Sequence, residues 1–311
     1  MRRPLTILAA LLVSSCSLAL GPPGEWIPWT DVDGPLRPEV SPPPAGHDAG
    51  ETLRVATFNV HYGDDIDAIA RAILDNPALA AAEVLLLQEI RSFPDEDASR
   101  AARLAAALGM GYAYAPARPH KTGTHGNAIL SRIPFDNVSV MELPRAQIAL
   151  GSERRIAMTA DLQVGGAVLR IVNVHLDTRL NISDRVEQLR PAVIDAPPRA
   201  IVAGDFNTNP FIWTGNTVPD VRTLAIADSD QAPLLDSYMA AIGFENPTSG
   251  LGPTAPVPVF AVHLDSIFTR GLASAGGAVE RGVTVSDHWP VWTDLRLDAP
   301  PDAATASAEA D

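Results

Sequence analysis

The chain has almost no cysteine and almost no lysine. Its 311 residues include one cysteine, Cys16, so no disulfide can form within the chain and the fold must rest on an apolar core. Lys121 is the one lysine among 23 basic residues. A biased genome composition accounts for that skew, and any phosphate contact falls to the planar fork of arginine. Positive charge is short overall. The formal net charge of -14 excludes a broad basic surface of the kind that drives non-specific nucleic-acid binding, although not a local basic cleft. No apolar run is long enough to span a bilayer comfortably, and no repeat at solenoid spacing occurs.

What is present is a globular composition, 46% hydrophobic and 19% charged, at a length that suits one large or two ordinary domains. Met1-Arg2-Arg3, an apolar run over 5–13 and Ser14-Ser15-Cys16 make a charged start, a short hydrophobic stretch and small residues at a processing site. This resembles a bacterial lipoprotein signal over 1–16, in which lipid is attached to Cys16. The alternative is an ordinary secretory signal cut after a small residue such as Ala19. The expectation is an exported chain, lipid-anchored in the cell envelope (periplasmic or cell-surface face) or secreted. Residues 17–50, rich in proline and glycine, read as a linker; 51–298 as the folded domain; 299–311 as a disordered tail.

Within the domain, apolar periodicity predicts strands at 53–60, 84–87, 112–115, 127–131, 138–143, 156–164, 168–176, 200–203, 264–268, 279–285 and 291–297. Helices are predicted at 65–74, 98–108, 183–194 (with Ser183 as N-cap) and 233–242. Gly165-Gly166 is a hairpin turn. Helices near both ends with hairpins between them fit two sheets packed face to face with helices outside.

Six apolar runs end in, or run into, a residue able to hold a metal or move a proton: Thr57-Phe58-Asn59, Leu87-Gln88-Glu89, Asn173-Val174-His175, Gly204-Asp205-Phe206-Asn207, Leu264-Asp265 and Ser286-Asp287-His288. If the strands lie side by side, these ends share one edge. An acid such as Glu89 at the end of a buried run is costly unless it pairs with a cation or faces solvent. A hard divalent cation prefers one or two carboxylates with phosphate oxygens and water, and Asn59 could add a neutral oxygen. Asp205 and Asn207, two apart on an extended segment, face one side. One could orient water while the other donates its amide to a phosphate oxygen; an Asx turn is the plainer alternative. His288 can act as a general base or stabilise charge, oriented by Asp265 rather than by adjacent Asp287. His175 would add a second imidazole. His120, Lys121 and His125 are expected in a loop. Arg155 and Arg179 either contact phosphate or form structural ion pairs.

Taken in order, with Gly126-Asn127-Ala128-Ile129-Leu130-Ser131-Arg132 between the second and third, these motifs resemble the endonuclease/exonuclease/phosphatase superfamily over roughly 52–297. The resemblance implies an α/β (α+β) fold, a four-layer αββα sandwich of two packed mixed sheets with outer helices. It also implies phosphoester hydrolysis dependent on Mg²⁺, Mn²⁺ or Ca²⁺. By position Asn59, Glu89 and Asp287 would lie at the metal, Asp205 and Asn207 at water and phosphate, His175 on the phosphate, and His288 beside Asp265. His61, His125, Asn127 and Arg155 are candidates for substrate contact. Two residues depart from the abasic-site endonucleases: His61 replaces their aspartate and Thr124 their tyrosine. The chain is accordingly more similar to the sphingomyelinase, phosphatase and pancreatic DNase-like branches, although no inserted hydrophobic hairpin that would dip into a bilayer is evident. The expected substrate is a lipid headgroup, a small phosphodiester or a phosphomonoester, met by a monomer tethered to the membrane through Cys16; a secreted nuclease is the alternative. A non-catalytic binding module would have lost Glu89 or His288, and neither is lost. Structural calcium binding by the acidic cluster would not explain Asp265 beside His288.

Overall fold

Alternation along the first long strand sets the architecture. In the computed structural model, which describes residues 37–47, 49–145, 153–164, 166–209, 212–214, 218–220, 231–257 and 260–297, β1 (Glu39–Ser41) precedes β2 (Thr52–Asn59). Leu53 and Val55 of β2 join one buried cluster, Ala56 and Phe58 another. With side chains alternating across the pleat, β2 therefore has a core on each face. Asp65 caps α1 (Ile66–Asp75) by accepting from the Ala68 N–H, and Ile66, Ile69, Ala70 and Ile73 are its buried stripe. The helix stops at Asn76 because the residue before a proline is pushed out of the helical region. Asn76 then caps the short α2 (Pro77–Ala80), accepting from Ala78 and Leu79. The crossover returns the chain as β3 (Val84–Ser92), parallel to β2.

After α3 (Arg100–Leu108), capped by Ser99, come β4 (Gly111–His120), β5 (Gly123–Ser131), β6 (Phe135–Glu142), β7 (Ile156–Val164) and β8 (Ala167–His175). A second crossover through α4 (Ile182–Val193) delivers β9 (Ala200–Asp205), again parallel to its predecessor. The rest is β10 (Ile212–Thr214), β11 (Val218–Asp220), α5 (Gln231–Ala241), β12 (Ala255–Val257), β13 (Phe260–Val262), β14 (Asp265–Arg270), β15 (Ala273–Val279) and β16 (Val291–Arg296). One sheet has the order β1-β4-β5-β3-β2-β16-β15 and the other β14-β9-β8-β7-β6; β10-β11 and β12-β13 are separate hairpins.

Three cores separate four layers. Leu53, Leu86, Ile129, Met158, Ile171, Ile201 and Ile267 pack between the sheets. Ile69, Ile73 and Leu104 lie between the seven-stranded sheet and α1 and α3. Leu189, Val193, Leu235 and Met239 lie between the five-stranded sheet and α4 and α5. This is the αββα sandwich of two mixed sheets.

Several local expectations need correction. His120 and His125 lie on strands, in a long β4–β5 hairpin; Pro116 and Pro119 hid it, since proline reads as a strand breaker. The strand expected at 279–285 is instead β15, mostly exposed and carrying Gly276-Gly277, without the alternation that marks a half-buried strand. α4 starts one residue before Ser183, with Asn181 at the N-cap position and no side-chain cap. Part of the expected linker joins the domain, where β1 pairs with β4. Residues 1–16 with Cys16, the tail and Gly165 lie outside the described residues.

Leu86 is fully buried between the sheets, whereas Val40 on the edge strand is 47% exposed. Leu86→Ala is expected to lower the unfolding free energy by about 2–5 kcal/mol and Val40→Ala by less than about 0.5 kcal/mol, both read from urea denaturation.

Candidate active site

On six strands the residues facing the opposite sheet pass from aliphatic within the sandwich to polar at one end. The series are Leu53, Val55, Thr57, Asn59; Val84, Leu86, Gln88; Ile129, Asn127, His125; Ile171, Asn173, His175; Ile201, Ala203, Asp205; and Ile267, Asp265. β5 and β14 run antiparallel to their neighbours, so all six polar ends fall at the same end of the sandwich.

The polar end has two tiers. In the lower, Gln88 Nε2 donates to Asn173 Oδ1 across the sheets at 2.8 Å, and lies 3.1 Å from Thr57 Oγ1 and 3.0 Å from the Leu86 carbonyl. Asn173 Nδ2 donates to the carbonyls of Leu87 and Ala128, at 3.0 and 2.8 Å. Those residues flank a bulge: Leu87 pairs with Ala128 and Ile90 with Gly126, so Gln88 and Glu89 together oppose Asn127. Glu89 has φ 62°, and the extra residue turns its carboxylate toward the same interior that Gln88 faces.

The upper tier is the cleft. Asp205 accepts from Asn59 Nδ2 at 3.1 Å and from the Asn207 backbone N–H at 2.9 Å. His175 Nε2 and His288 Nε2 stand 3.5 and 3.8 Å from it. His288 Nδ1 meets Asp265 Oδ2 at 2.8 Å, and Thr254 donates to the same oxygen at 2.7 Å. Glu89 lies 3.7 Å from His125 Nε2 and 4.0 Å from His175 Nε2. Two glycines allow this approach. A Cβ on Gly126 would sit 1.9 Å from the Ala115 carbonyl, and one on Gly204, whose φ is +149°, 1.9 Å from that of Val174.

Charge follows burial and neighbours. Burial pushes Glu89 up, but His125 at 3.7 Å, with His175 and His288 beyond it, outweighs that and holds this carboxyl well below its ordinary range. Burial raises Asp205, and the Asp265 carboxylate adds to the rise against the opposing pull of His288. Burial would lower His288, but Asp265 and Asp205 leave it raised and cationic. His175 is depressed by burial and then by Arg155.

The expected residues are therefore placed as follows. Asn59, Glu89, His125, Asn127, His175, Asp205, Asp265 and His288 line one buried cleft. Asp287 is at its mouth, half-exposed, 3.0 Å from His61 Nδ1, and Ser286 ties this loop to β2 by donating to the Asn59 carbonyl at 2.7 Å. Asn207 is not on an extended segment. Its φ is 53°, it closes an Asx turn on Asp205, and its amide donates to the Leu176 carbonyl at 2.9 Å. Arg155 pairs with Glu153 at 3.5 Å. Thr254 and Ser286 orient the site but carry no periodic signal in the sequence.

The donor set fits a hard cation. It consists of carboxylate and amide oxygens, and Asp265 Oδ1 is buried without a hydrogen-bond partner. Glu89 with Asn59 offers one position. Asp205, Asp265 and His288 also present ligand atoms within 4.8 Å of one another, although the direct Asp265–His288 hydrogen bond already occupies part of that set.

Replacing Asn173 by leucine would leave the Leu87 and Ala128 carbonyls in the interior without the Asn173 amide and take from Gln88 Nε2 its acceptor across the sheets. A loss of about 3 kcal/mol or more in urea unfolding is expected, since each unsatisfied buried group costs about 1–3 kcal/mol; a loss below about 1 kcal/mol would show that the bridge does not organise this end.

Comparison with known proteins agrees with this geometry. In structure the chain is similar to an endonuclease/exonuclease/phosphatase from Beutenbergia cavernae, with 26% identity and a TM-score of 0.62 over 80% of this chain and 72% of that one. It is also similar to a family protein from Leptotrichia buccalis (15% identity, TM-score 0.57, 78% and 99% covered). A third is D. rerio TDP2 complexed with single strand DNA product (18%, 0.55, 79% and 99%). The last two identities establish the fold alone. No curated protein matches the chain. The endonuclease/exonuclease/phosphatase family profile matches residues 56–288, an interval that runs from β2 to His288 and encloses the whole cleft, and the chain belongs to that family.

Proposed function

We infer that the protein is a divalent-metal-dependent phosphoesterase that hydrolyses a phosphodiester or phosphomonoester by in-line attack of water. Family members are typically hydrolases of phosphoester bonds. The observation that carries the reading is the gathering of Glu89, Asp205 and the Asp265–His288 pair in one cleft, with Asp205 within 4.0 Å of two imidazoles. A divalent cation held by Glu89, with Asn59 and Asp287 beside it, would supply neutralisation of phosphate charge and stabilisation of the leaving oxygen. Asp205, fixed by Asn59 and by the Asn207 N–H, orients the water and takes its proton. His288, held against Asp265, stabilises the phosphoryl oxygens together with His175. Asn127 and His125 line the same side of the cleft, where an incoming phosphate would meet the Asn127 amide.

Acidity and an envelope tether favour a lipid headgroup or another small phosphoester outside the cytoplasm as substrate. A secreted nuclease is the second reading, favoured by Arg118 and Arg155 on one flank of the cleft. Among the described residues no helix is long and apolar enough to cross a membrane; the anchor we propose is lipid on Cys16.

Assays with Mg²⁺, Mn²⁺ and Ca²⁺ on bis-p-nitrophenyl phosphate, sphingomyelin, inositol phosphates and plasmid DNA should give hydrolysis that a chelator abolishes. Glu89→Gln, Asp205→Asn and His288→Asn should each lower kcat/KM by about 100-fold or more with the fold retained by circular dichroism. No hydrolysis of any substrate, or full turnover in all three variants, would overturn the reading. Separately, metabolic palmitate labelling should mark the wild type and not Cys16→Ala; equal labelling would remove the anchor.

A further inference from the structure

The loop after β2 engages two of the oxygens expected at the cation. His61 donates its backbone N–H to Asn59 Oδ1 at 3.0 Å, and its Nδ1 lies 3.0 Å from Asp287 Oδ2. Asn59 Nδ2 is on Asp205, so both ends of that amide have partners. Asp287 belongs to the loop before β16, which Ser286 ties to the Asn59 carbonyl. One histidine thus joins the end of β2 to the residue just before His288. Among the described residues, the carboxylates and imidazole whose ligand atoms lie within 4.8 Å of one another are Asp205, Asp265 and His288. Asp287 is outside that group.

His61 is held on its other sides as well. His61, Tyr62 and Gly63 have φ of 42°, 74° and 62°, three successive residues in a region that side chains other than glycine seldom enter. Such a turn persists where its surroundings over-determine it. The Gly63 N–H closes it on the Val60 carbonyl at 3.0 Å. Arg100 donates to the carbonyls of Tyr62 and Gly63 at 3.1 and 3.2 Å, and the Arg91 guanidinium lies 3.6 Å from the centre of the Tyr62 ring. That ring is in turn 4.4 Å from the His61 imidazole. The frame therefore presents the imidazole to Asp287. A ring N–H aimed at a carboxylate oxygen competes with a cation for the same lone pairs. Glu89 acts electrostatically on both members of the pair, so a second carboxylate stands close by. One carboxylate suffices for a hard cation that takes its other oxygens from phosphate and water.

We propose that His61 withholds Asp287 from the cation: Asp287 positions the His61 imidazole at the cleft mouth, and Glu89 is the carboxylate that holds the ion. The proposal rests on the metal-dependent phosphoesterase reading above, and it departs from the expectation that Asp287 lies at the metal. The remaining positions around the ion fall to phosphate oxygens and water.

Mn²⁺ binding to the protein, followed by the electron paramagnetic resonance signal of the free ion, tests this without turnover. Glu89→Gln should weaken binding by about tenfold or more, whereas Asp287→Asn should stay within about twofold of the wild type. His61→Gly removes the imidazole at a position whose positive φ glycine adopts without strain, so the fold should survive. It releases Asp287 and should tighten binding by about threefold or more; adding Asp287→Asn to it should cancel the gain. Three results would each overturn the inference: Asp287→Asn weaker than the wild type by more than about twofold, binding unchanged by Glu89→Gln, or His61→Gly no tighter than the wild type. All three leave the hydrolase reading to the assays above. No Mn²⁺ binding by the wild type would overturn both.

Discussion

The hydrogen bond from Gln88 to Asn173 holds the two sheets at a fixed spacing and register where the core gives way to the cleft. Below it the inter-sheet space is filled by Leu86, Ile171 and their aliphatic neighbours; above it lie Glu89 and His175. Both amides are fully buried, so neither can leave its partner for water, and an unmatched amide there would cost more than a matched one contributes. Asn173 also donates its amide to the carbonyls of Leu87 and Ala128, the pair that precedes the β3 bulge. The bulge in turn lets two successive residues serve one interior, Gln88 for the bridge and Glu89 for the cleft.

Above this tier the cleft concentrates charge in a place that water barely reaches. Glu89, Asp205 and Asp265 would repel one another strongly if nothing intervened. Interleaved imidazoles divide them into different states, Glu89 held low by His125, His175 and His288, Asp205 raised by burial and Asp265. Carboxylates in unlike states within one pocket suit a reaction that needs both a cation site and a proton acceptor. Members of the family are typically hydrolases of phosphoester bonds.

Much of this was legible before the fold was known. A polar residue ending an apolar run marks itself, because period-2 alternation makes its burial visible; Asn59, His175, Asp205 and Asp265 were found that way, and the structure gathers them. Strict alternation would have put Glu89 on the face opposite to Gln88, since only the bulge brings both inward. The sequence predicts Asn207 on an extended segment, but the turn that Asp205 closes on its N–H takes it into the left-handed region. The β4–β5 hairpin was obscured by its prolines, and with it the place of His125. Arg118 and Glu153 gave no signal at all, because their meaning lies in a contact between sheets.

The sequence by itself determined the layers and the chemistry of the strand ends, since hydrophobic periodicity and residue type are local properties. Only the tertiary structure decided which groups meet. The Gln88–Asn173 bridge, the bulge under Glu89 and the contact of Arg118 with Glu153 all join residues far apart in the chain. Their distances are set by how two twisted sheets pack against each other, and no local pattern encodes that.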